Sequence, residues 1–286
     1  MNILVCGLHS YLGKACVSYM QDETYRIHGS VRDEVLFKKN MELPIAASIS
    51  SVDLIRKGVD FDSFQLHDLM LAFYFTQIPD LDDKIAKNYE LLSLRNFIHL
   101  SQKNSCNRII YVGRLYDRKH LKEVEQLFRE LNVVFTILLK DIAIGIGTTF
   151  DRFMNEMLKH PVVFLFKPHS SIKFNPVLLK DVFRWIKNID WGTSFINQYV
   201  EFGGPKLVDF YDVFKKYAEK RKPDIKFKIL PFTNKLLPQL CNKYFYGIKC
   251  DLYSDYILEL SKSPPVDNSS WEKQFDFEYT AIDEGI

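Results

Sequence analysis

The sequence lacks an excess of charge of one sign and any cysteine pattern typical of disulfides or zinc. Lysine plus arginine number 38 against 36 for aspartate plus glutamate, so the net charge of +2 does not suggest binding to nucleic acid or an anionic membrane. The five cysteines are odd in number, and no two form a Cys-x-x-Cys pair. The seven histidines are scattered without metal-ligand spacing, so we expect no metal site.

Long apolar runs are also absent from the sequence. No stretch approaches the roughly 20 apolar residues that a membrane-spanning helix needs. Met1-Asn2 leads directly into Ile3-Leu4-Val5, without the basic region and long apolar core of a signal peptide. We therefore expect a cytoplasmic protein without a membrane span, and small-molecule chemistry rather than nucleic-acid binding.

The sequence does have enough apolar residues for a large core, 47% of 286. Over the first 140 residues, short β-branched runs alternate with amphipathic stretches, a pattern typical of βαβ units and a mostly parallel sheet. The predicted strands are 2–6, 26–31, 46–51, 69–75, 108–112, 133–139 and 162–166. The predicted helices are 13–21, 81–103, 120–131, 149–158, 178–189 and 207–220.

This pattern predicts an α/β fold, a Rossmann-type doubly wound parallel sheet with a smaller C-terminal α/β lobe. We place the first domain at 1–140 and the smaller lobe, interleaved with it and holding a substrate or partner site, at 141–262. Residues 263–286 contain Pro264-Pro265 and several acids, and we expect a loosely ordered acidic tail there.

Two glycines flank a turn between the first predicted strand and helix, in the run Gly7-Leu8-His9-Ser10-Tyr11-Leu12-Gly13. Gly7 can adopt the backbone conformation of a tight turn, and Gly13 lets the helix approach the sheet closely. The N–H groups and dipole at the helix N-terminus favour a pyrophosphate, to which the Ser10 hydroxyl could donate. We predict a dinucleotide-binding turn made by Gly7, His9, Ser10, Tyr11, Leu12 and Gly13.

Arg32 follows the second predicted strand, in Gly29-Ser30-Val31-Arg32-Asp33. An acid there would bind a ribose 2′-hydroxyl, whereas a guanidinium suits a 2′-phosphate. We therefore predict NADP(H) as the preferred cofactor, while the adjacent Asp33 leaves NAD(H) as an alternative. Arg32 as a solvated loop charge is the other interpretation.

Several further runs resemble the atypical, extended short-chain dehydrogenase/reductase superfamily, in particular its NmrA-like group and the accessory NADPH-binding subunit of mitochondrial complex I. They are Tyr74-Phe75-Thr76, Asn107 through Leu115, Ile142 through Gly147, Asn175-Pro176-Val177 and Phe202-Gly203-Gly204-Pro205. The resemblance implies that Phe75, Thr76, Val112 and Gly113 line the adenosine and nicotinamide ribose. It also implies that Lys140 closes the nicotinamide end and that the lobe after Ile142 supplies a substrate pocket. The alternative interpretation is that Phe75 and Val112 are ordinary core residues.

Active members of this superfamily use Tyr-x-x-x-Lys, in which the lysine lowers the tyrosine pKa from about 10 toward neutrality. The nearest match after the fifth strand is Tyr116, with His120 in the position of the lysine. His120 is mostly neutral at pH 7 and would lower the pKa of Tyr116 less. A formal match at Tyr211 and Lys215 lies in the lobe, and we interpret it as coincidence.

Three functions follow from these residues. The first is an NADP(H)-dependent reductase, or a related nucleotide-dependent enzyme, that acts on a small organic substrate with Tyr116 as the proton donor. The second is a non-catalytic NADP(H)-binding module, structural or redox-sensing, that acts through a protein partner. The absence of Tyr-x-x-x-Lys favours the second. A scaffold that binds no nucleotide is the third.

Overall fold

Seven of the strands form one sheet. The computed structural model describes residues 1–22, 24–41, 47–77, 81–231, 240, 244 and 265–285. Up to the sixth strand, the elements are β1 (Asn2–Cys6), α1 (Tyr11–Met20), β2 (Arg26–Val31), α2 (Glu34–Lys39), β3 (Ser48–Ser51), α3 (Val59–Ser63), β4 (Leu69–Phe75), α4 (Lys84–Lys103), β5 (Arg108–Arg114), a 3-10 helix (Leu115–His120), α5 (Leu121–Glu130) and β6 (Val134–Lys140).

The remaining described elements are shorter on average. They are β7 (Ala143–Ile144), α6 (Thr149–Leu158), β8 (Val162–Phe166), α7 (Lys167–Ser170), β9 (Lys173–Phe174), β10 (Val177–Leu178), α8 (Leu179–Lys187), β11 (Gln198–Phe202), β12 (Val208–Asp209), α9 (Phe210–Arg221), β13 (Lys226–Leu230), α10 (Ser269–Glu272) and α11 (Ile282–Gly285). Within the described ranges, no helix is long and apolar enough to cross a membrane.

The strands of the seven-stranded sheet have the order β11-β6-β5-β4-β1-β2-β3. The sheet is doubly wound, and its order reverses between β1 and β4. The pairs β1–β2, β2–β3, β1–β4 and β4–β5 are all parallel. Buried parallel strands require apolar residues on both faces, as in β1, where Ile3, Leu4 and Val5 are fully buried. The predicted α/β Rossmann-type fold is confirmed, and the order reversal locates the crevice where such sheets bind ligands.

About half of the element ends coincide with the predicted ones, and the others differ by one to three residues. β1, β2, β4, α6 and β8 begin and end as predicted, whereas β5 runs two residues further, to Arg114. α1 begins at Tyr11 rather than at residue 13, because Ser10 caps it. β3 begins at Ser48, and the predicted strand start at residue 46 lies outside the described residues.

The chain divides into two compact units. The first contains Met1–Leu139 and Phe183–Val200. The second of these segments, residues 183–200, is hydrogen-bonded to β5 and β6. Arg108 Nε donates to the Trp191 carbonyl at 2.7 Å, and Thr136 Oγ1 donates to the Phe195 carbonyl at 2.6 Å. These contacts explain why 183–200, predicted in the lobe, belongs to the first unit.

The second unit contains Lys140–Val182 and Glu201–Ile286. Its core is rich in aromatic side chains, among them Phe150, Phe174 and Phe210. The segment predicted as a loose acidic tail belongs to this unit, and its Trp271 is 1% exposed. Trp271 Nε1 donates to the Glu201 carbonyl at 3.0 Å. Residues 265–285 are therefore packed against their unit through a large buried side chain.

Candidate functional site

A cavity of about 1080 Å³ opens in the first unit, where the order of the sheet reverses. It is lined by the carboxyl ends of β1 and β2, the segments that follow β3 and β4, part of α2 and the first half of α4. Gly7, His9, Ser10 and Arg32 are the predicted cofactor residues in this lining. Its volume is at the upper end of the range for small-molecule sites.

The two glycines of the turn are required by close backbone contacts. Gly7 has φ +85°, and a Cβ there would lie 2.4 Å from the Phe75 carbonyl oxygen. A Cβ at Gly13 would lie 2.3 Å from the Gly7 carbonyl oxygen. Gly7 therefore permits the left-handed turn, and Gly13 permits α1 to pack directly on that turn.

Ser10 closes the same turn as the N-cap of α1. Its hydroxyl donates to the Gly7 carbonyl at 2.7 Å and accepts from the Gly13 N–H at 3.1 Å. The hydroxyl predicted to donate to a phosphate is thus engaged within the turn. Tyr11 and Leu12 form the first turn of α1, where backbone N–H groups have no intrahelical acceptor.

The end of β2 presents Arg32 at the mouth of the cavity with 73% of its side chain exposed. The neighbouring Asp33 also lines the cavity, but its carboxylate caps α2 by accepting from the Leu36 N–H at 2.8 Å. The cap engages one of the two oxygens of the Asp33 carboxylate, so charged groups of both signs line this part of the cavity.

His9 extends from the glycine turn over α2. Its ring packs edge-on against Phe37 with a centroid separation of 5.1 Å. Partial burial, and then the positive charges of Lys14 and Arg32, lower the pKa of His9 below its ordinary value. The imidazole is consequently neutral at pH 7 in the free protein.

Sequence reasoning missed Asp53 and Arg56, two charged residues that line the cavity beyond the end of β3. Asp53 Oδ2 lies 3.8 Å from Arg32 Nε, across the gap between neighbouring strands. The signal that could have identified them is their position, because loops after the carboxyl ends of parallel strands carry ligand contacts.

A polar wall, also missed from the sequence, lies at the ends of β1 and β4, with Cys6, Glu90 and Ser93 buried and Gln77 exposed. Gln77 Nε2 donates to Ser93 Oγ at 2.9 Å and to Cys6 Sγ at 3.2 Å, and Glu90 Oε1 accepts from the Gln77 N–H at 3.3 Å. Burial raises the pKa of Cys6 to about 12, and the Glu90 charge adds to this effect. The thiol therefore stays protonated at neutral pH, and the wall acts through hydrogen bonds.

The other predicted cofactor residues lie deeper in the sheet or elsewhere. Phe75 and Val112 are fully buried in β4 and β5, in agreement with their interpretation as core residues. Thr76 Oγ1 donates to the Val112 carbonyl at 3.0 Å, and a Cβ on Gly113 would lie 3.4 Å from that hydroxyl. Lys140 belongs to the second unit, where its ammonium donates to the Asp141 carbonyl at 3.2 Å.

The predicted catalytic residues, Tyr116 and His120, both contact the carboxylate of Asp82, which the sequence did not indicate. Tyr116 Oη donates to one oxygen of Asp82 at 2.5 Å, and His120 Nε2 lies 2.9 Å from the other. Lys119 pairs with Asp82 and donates to Tyr116 Oη at 2.9 Å. The 3-10 helix brings residues three apart into contact, so the ammonium near Tyr116 comes from Lys119.

This cluster does not have the electrostatics of an activated tyrosine. Burial and the hydrogen bond to Asp82 raise the pKa of Tyr116 above its ordinary value. Burial tends to raise the pKa of Asp82 as well, but hydrogen bonds from Lys119, Tyr116 and His120 outweigh burial and hold it far below its usual range. The phenol therefore remains protonated, and it lies outside the described lining of the cavity.

Taken together, the charges suit a ligand with anionic and neutral parts. Arg32 and Arg56 offer cations at the exposed rim, and Ser10, the N-cap of α1, lines the cavity, whereas Tyr11, Leu12 and Gly13 of the first turn are outside its described lining. The polar wall of Gln77, Glu90 and Ser93 offers donors and acceptors for hydroxyl or amide groups.

No family model and no curated protein sequence matches the chain. Many solved structures are similar to the chain over nearly its whole length, and three of them illustrate the likeness. The NADPH-dependent quinone oxidoreductase of Escherichia coli, complexed with NADPH, is 13% identical with a TM-score of 0.71, covering 99% of this chain and 97% of its own. The triphenylmethane reductase of Citrobacter sp., complexed with NADP(H), is 13% identical with a TM-score of 0.69, covering 100% and 98%.

The third structure is the UDP-glucuronic acid 4-epimerase of Bacillus cereus, complexed with NAD. It is 13% identical with a TM-score of 0.62, covering 92% of this chain and 98% of its own. At this identity the likeness shows the fold alone, which is the α/β fold that the resemblance noted in the sequence implies.

Proposed function

We propose that the chain binds NADP(H) in the cavity of its first unit, as an NADP(H)-binding protein of the atypical short-chain dehydrogenase/reductase type. The observation that carries the proposal is the glycine turn, where Gly7 and Gly13 leave room that a Cβ would fill, beside a cavity with Arg32 at its mouth. The first turn of α1 would hold the pyrophosphate, and Arg32 the 2′-phosphate. Similar structures complexed with NADPH or NADP(H) support the same assignment.

The test is a titration of the purified chain with NADPH and, separately, with NADH. Binding is measured by calorimetry and by the change in melting temperature. NADPH should bind saturably and raise the melting temperature, because a ligand that binds only the native state stabilises it. Arg32→Ala should weaken NADPH about 10-fold to 100-fold, the loss expected for hydrogen bonds to a charged group, and leave NADH nearly unchanged. Equal losses for both dinucleotides would contradict the role of Arg32, and binding of neither would contradict the proposal.

A bound nicotinamide would supply hydride transfer, and the chain would then act as a reductase on a small organic substrate. Tyr116 is the proton donor named from the sequence. Tyr116→Phe should then reduce the rate of NADPH oxidation against a panel of carbonyls and quinones and leave NADPH affinity unchanged. An unchanged rate would remove Tyr116 from the reaction.

One observation favours a non-catalytic NADP(H)-binding module as the second candidate. Tyr116 is tied to Asp82 and has a raised pKa, whereas a conventional reductase needs a lowered one. In this alternative the chain holds NADPH without oxidising it against the same panel and transmits its binding to a protein partner.

NADPH affinity should also depend on pH through His9. The pKa of His9 is lowered in the free protein, and a bound phosphate would raise it, so binding takes up a proton. Affinity therefore rises as pH falls from 8 toward 6.5, by up to about tenfold per unit for one proton. The 2′-phosphate, with a pKa of about 6, stays mostly dianionic over this range.

The control for this effect is His9→Gln, which keeps a polar side chain but cannot titrate. Its NADPH affinity should be nearly constant between pH 8 and 6.5. The same pH dependence in wild type and variant would assign the proton to another group.

A further inference from the structure

At the rim of the cavity beyond β3, a carboxylate faces one arginine and accepts from the backbone N–H of a second. Asp53, Arg32 and Arg56 all line the cavity, and they come from the segments that follow two neighbouring parallel strands. None of the described residues forms an ion pair with Arg56. This rim therefore carries two guanidinium groups, together with the carboxylates of Asp53 and of Asp33, whose Oδ1 is engaged in the cap of α2.

The two oxygens of Asp53 have separate roles. Oδ1 accepts from the Ile55 N–H at 2.8 Å and from the Arg56 N–H at 3.0 Å, which fixes the turn that carries Arg56. Oδ2 faces Arg32 Nε at 3.8 Å. The Asp53 carboxylate thus positions Arg56 through the turn and pairs with Arg32.

The pair between Arg32 and Asp53 is weak enough to be exchanged. Its atoms are 3.8 Å apart and the Arg32 side chain is 73% exposed, a geometry in which solvent screens most of the attraction. A phosphate dianion offers a guanidinium two charged acceptors at once, which is a stronger arrangement. A phosphate bound at this rim would therefore replace Asp53 as the ion-pair partner of Arg32.

We propose that Asp53 and Arg56 set the choice between NADP(H) and NAD(H), an inference that rests on the proposed function. Arg56 is a second ligand of the 2′-phosphate beside Arg32. Asp53 pairs with Arg32 when the phosphate is absent and opposes the phosphate by its charge when it is present. The affinity of the site for the 2′-phosphate is consequently lower than it would be if Arg32 and Arg56 were present without Asp53.

The experiment measures the affinity of adenosine 2′,5′-bisphosphate and of 5′-AMP by calorimetry, so that no turnover is needed. Asp53→Asn keeps Oδ1 and the turn but removes the charge. It should tighten the bisphosphate about fivefold, the effect of one unit charge at about 4 Å in water-like surroundings. Arg56→Gln should weaken the bisphosphate about tenfold, and neither variant should strengthen 5′-AMP.

Lys57→Gln is the matched control, because it removes the same charge from the adjacent residue, which is outside the described lining of the cavity. It should change bisphosphate affinity by less than about twofold, since the Lys57 ammonium contacts the Phe61 ring and His99, which are outside that lining, and exposed charges are screened by salt. Circular dichroism establishes that each variant is folded. If wild type binds the bisphosphate but Asp53→Asn and Arg56→Gln match it, this inference is wrong. If wild type binds neither the bisphosphate nor NADPH, the proposed function itself is contradicted.

Discussion

Gly13→Ala is expected to destabilise the first unit, although alanine normally favours a helix over glycine by about 1 kcal/mol. The reason is the 2.3 Å separation between a Cβ at this position and the Gly7 carbonyl oxygen, which belongs to rigid backbone. Overpacking of this kind lowers the free energy of unfolding by about 1–3 kcal/mol, so the net sign is opposite to that of helix propensity. Denaturant unfolding followed by circular dichroism measures the change.

Gly58→Ala provides the comparison, because a Cβ at Gly58 meets no atom within 4 Å. Gly58 is the N-cap of α3, where alanine is somewhat less favourable, so we expect a loss of no more than about 1 kcal/mol. NADPH affinity should fall in Gly13→Ala and stay unchanged in Gly58→Ala. A stabilised Gly13→Ala variant would mean that α1 does not pack directly on the turn.

Trp271→Ala should lower the free energy of unfolding by about 3–5 kcal/mol, the range for removal of a large buried aromatic side chain. The Trp271 ring lies 5.6 Å from that of Phe202, and its Nε1 hydrogen bond to Glu201 is buried. Truncation to alanine therefore leaves a cavity and an unpaired backbone carbonyl. Thermal and denaturant unfolding followed by circular dichroism report the loss without relying on tryptophan fluorescence.

The exposed neighbour Lys273 supplies the control for this prediction. Lys273→Ala should change stability by less than about 0.5 kcal/mol, as is usual for surface positions. A loose acidic tail would instead give two variants of equal stability. The comparison therefore distinguishes a packed C-terminal segment from the loose one that the acidic composition suggested.

The strands and the glycine turn could be predicted from the sequence because each depends on local signals. Ile3, Leu4 and Val5 form a continuous apolar run, as a strand buried on both faces requires, and Gly7 and Gly13 mark a turn in which a side chain would not fit. Arg32 was predicted at the site because it directly follows β2.

The remaining site residues could not be predicted, because their roles come from contacts between distant segments. Asp82 accepts from Tyr116 across 34 residues, and Gln77 reaches Cys6 across 71. Asp53 resembles an ordinary loop acid until β3 is placed beside β2. The acidic composition of the C-terminal segment likewise predicted a loose tail, because composition does not show that one residue, Trp271, is buried.

The central claim is that a dinucleotide occupies the cavity at the end of β1, and a crystal structure of the chain grown with NADPH tests it most directly. The predicted result is a pyrophosphate against the first turn of α1 and a 2′-phosphate within hydrogen-bond distance of Arg32. NADPH bound elsewhere, or a cavity that stays empty at saturating NADPH, would contradict the claim.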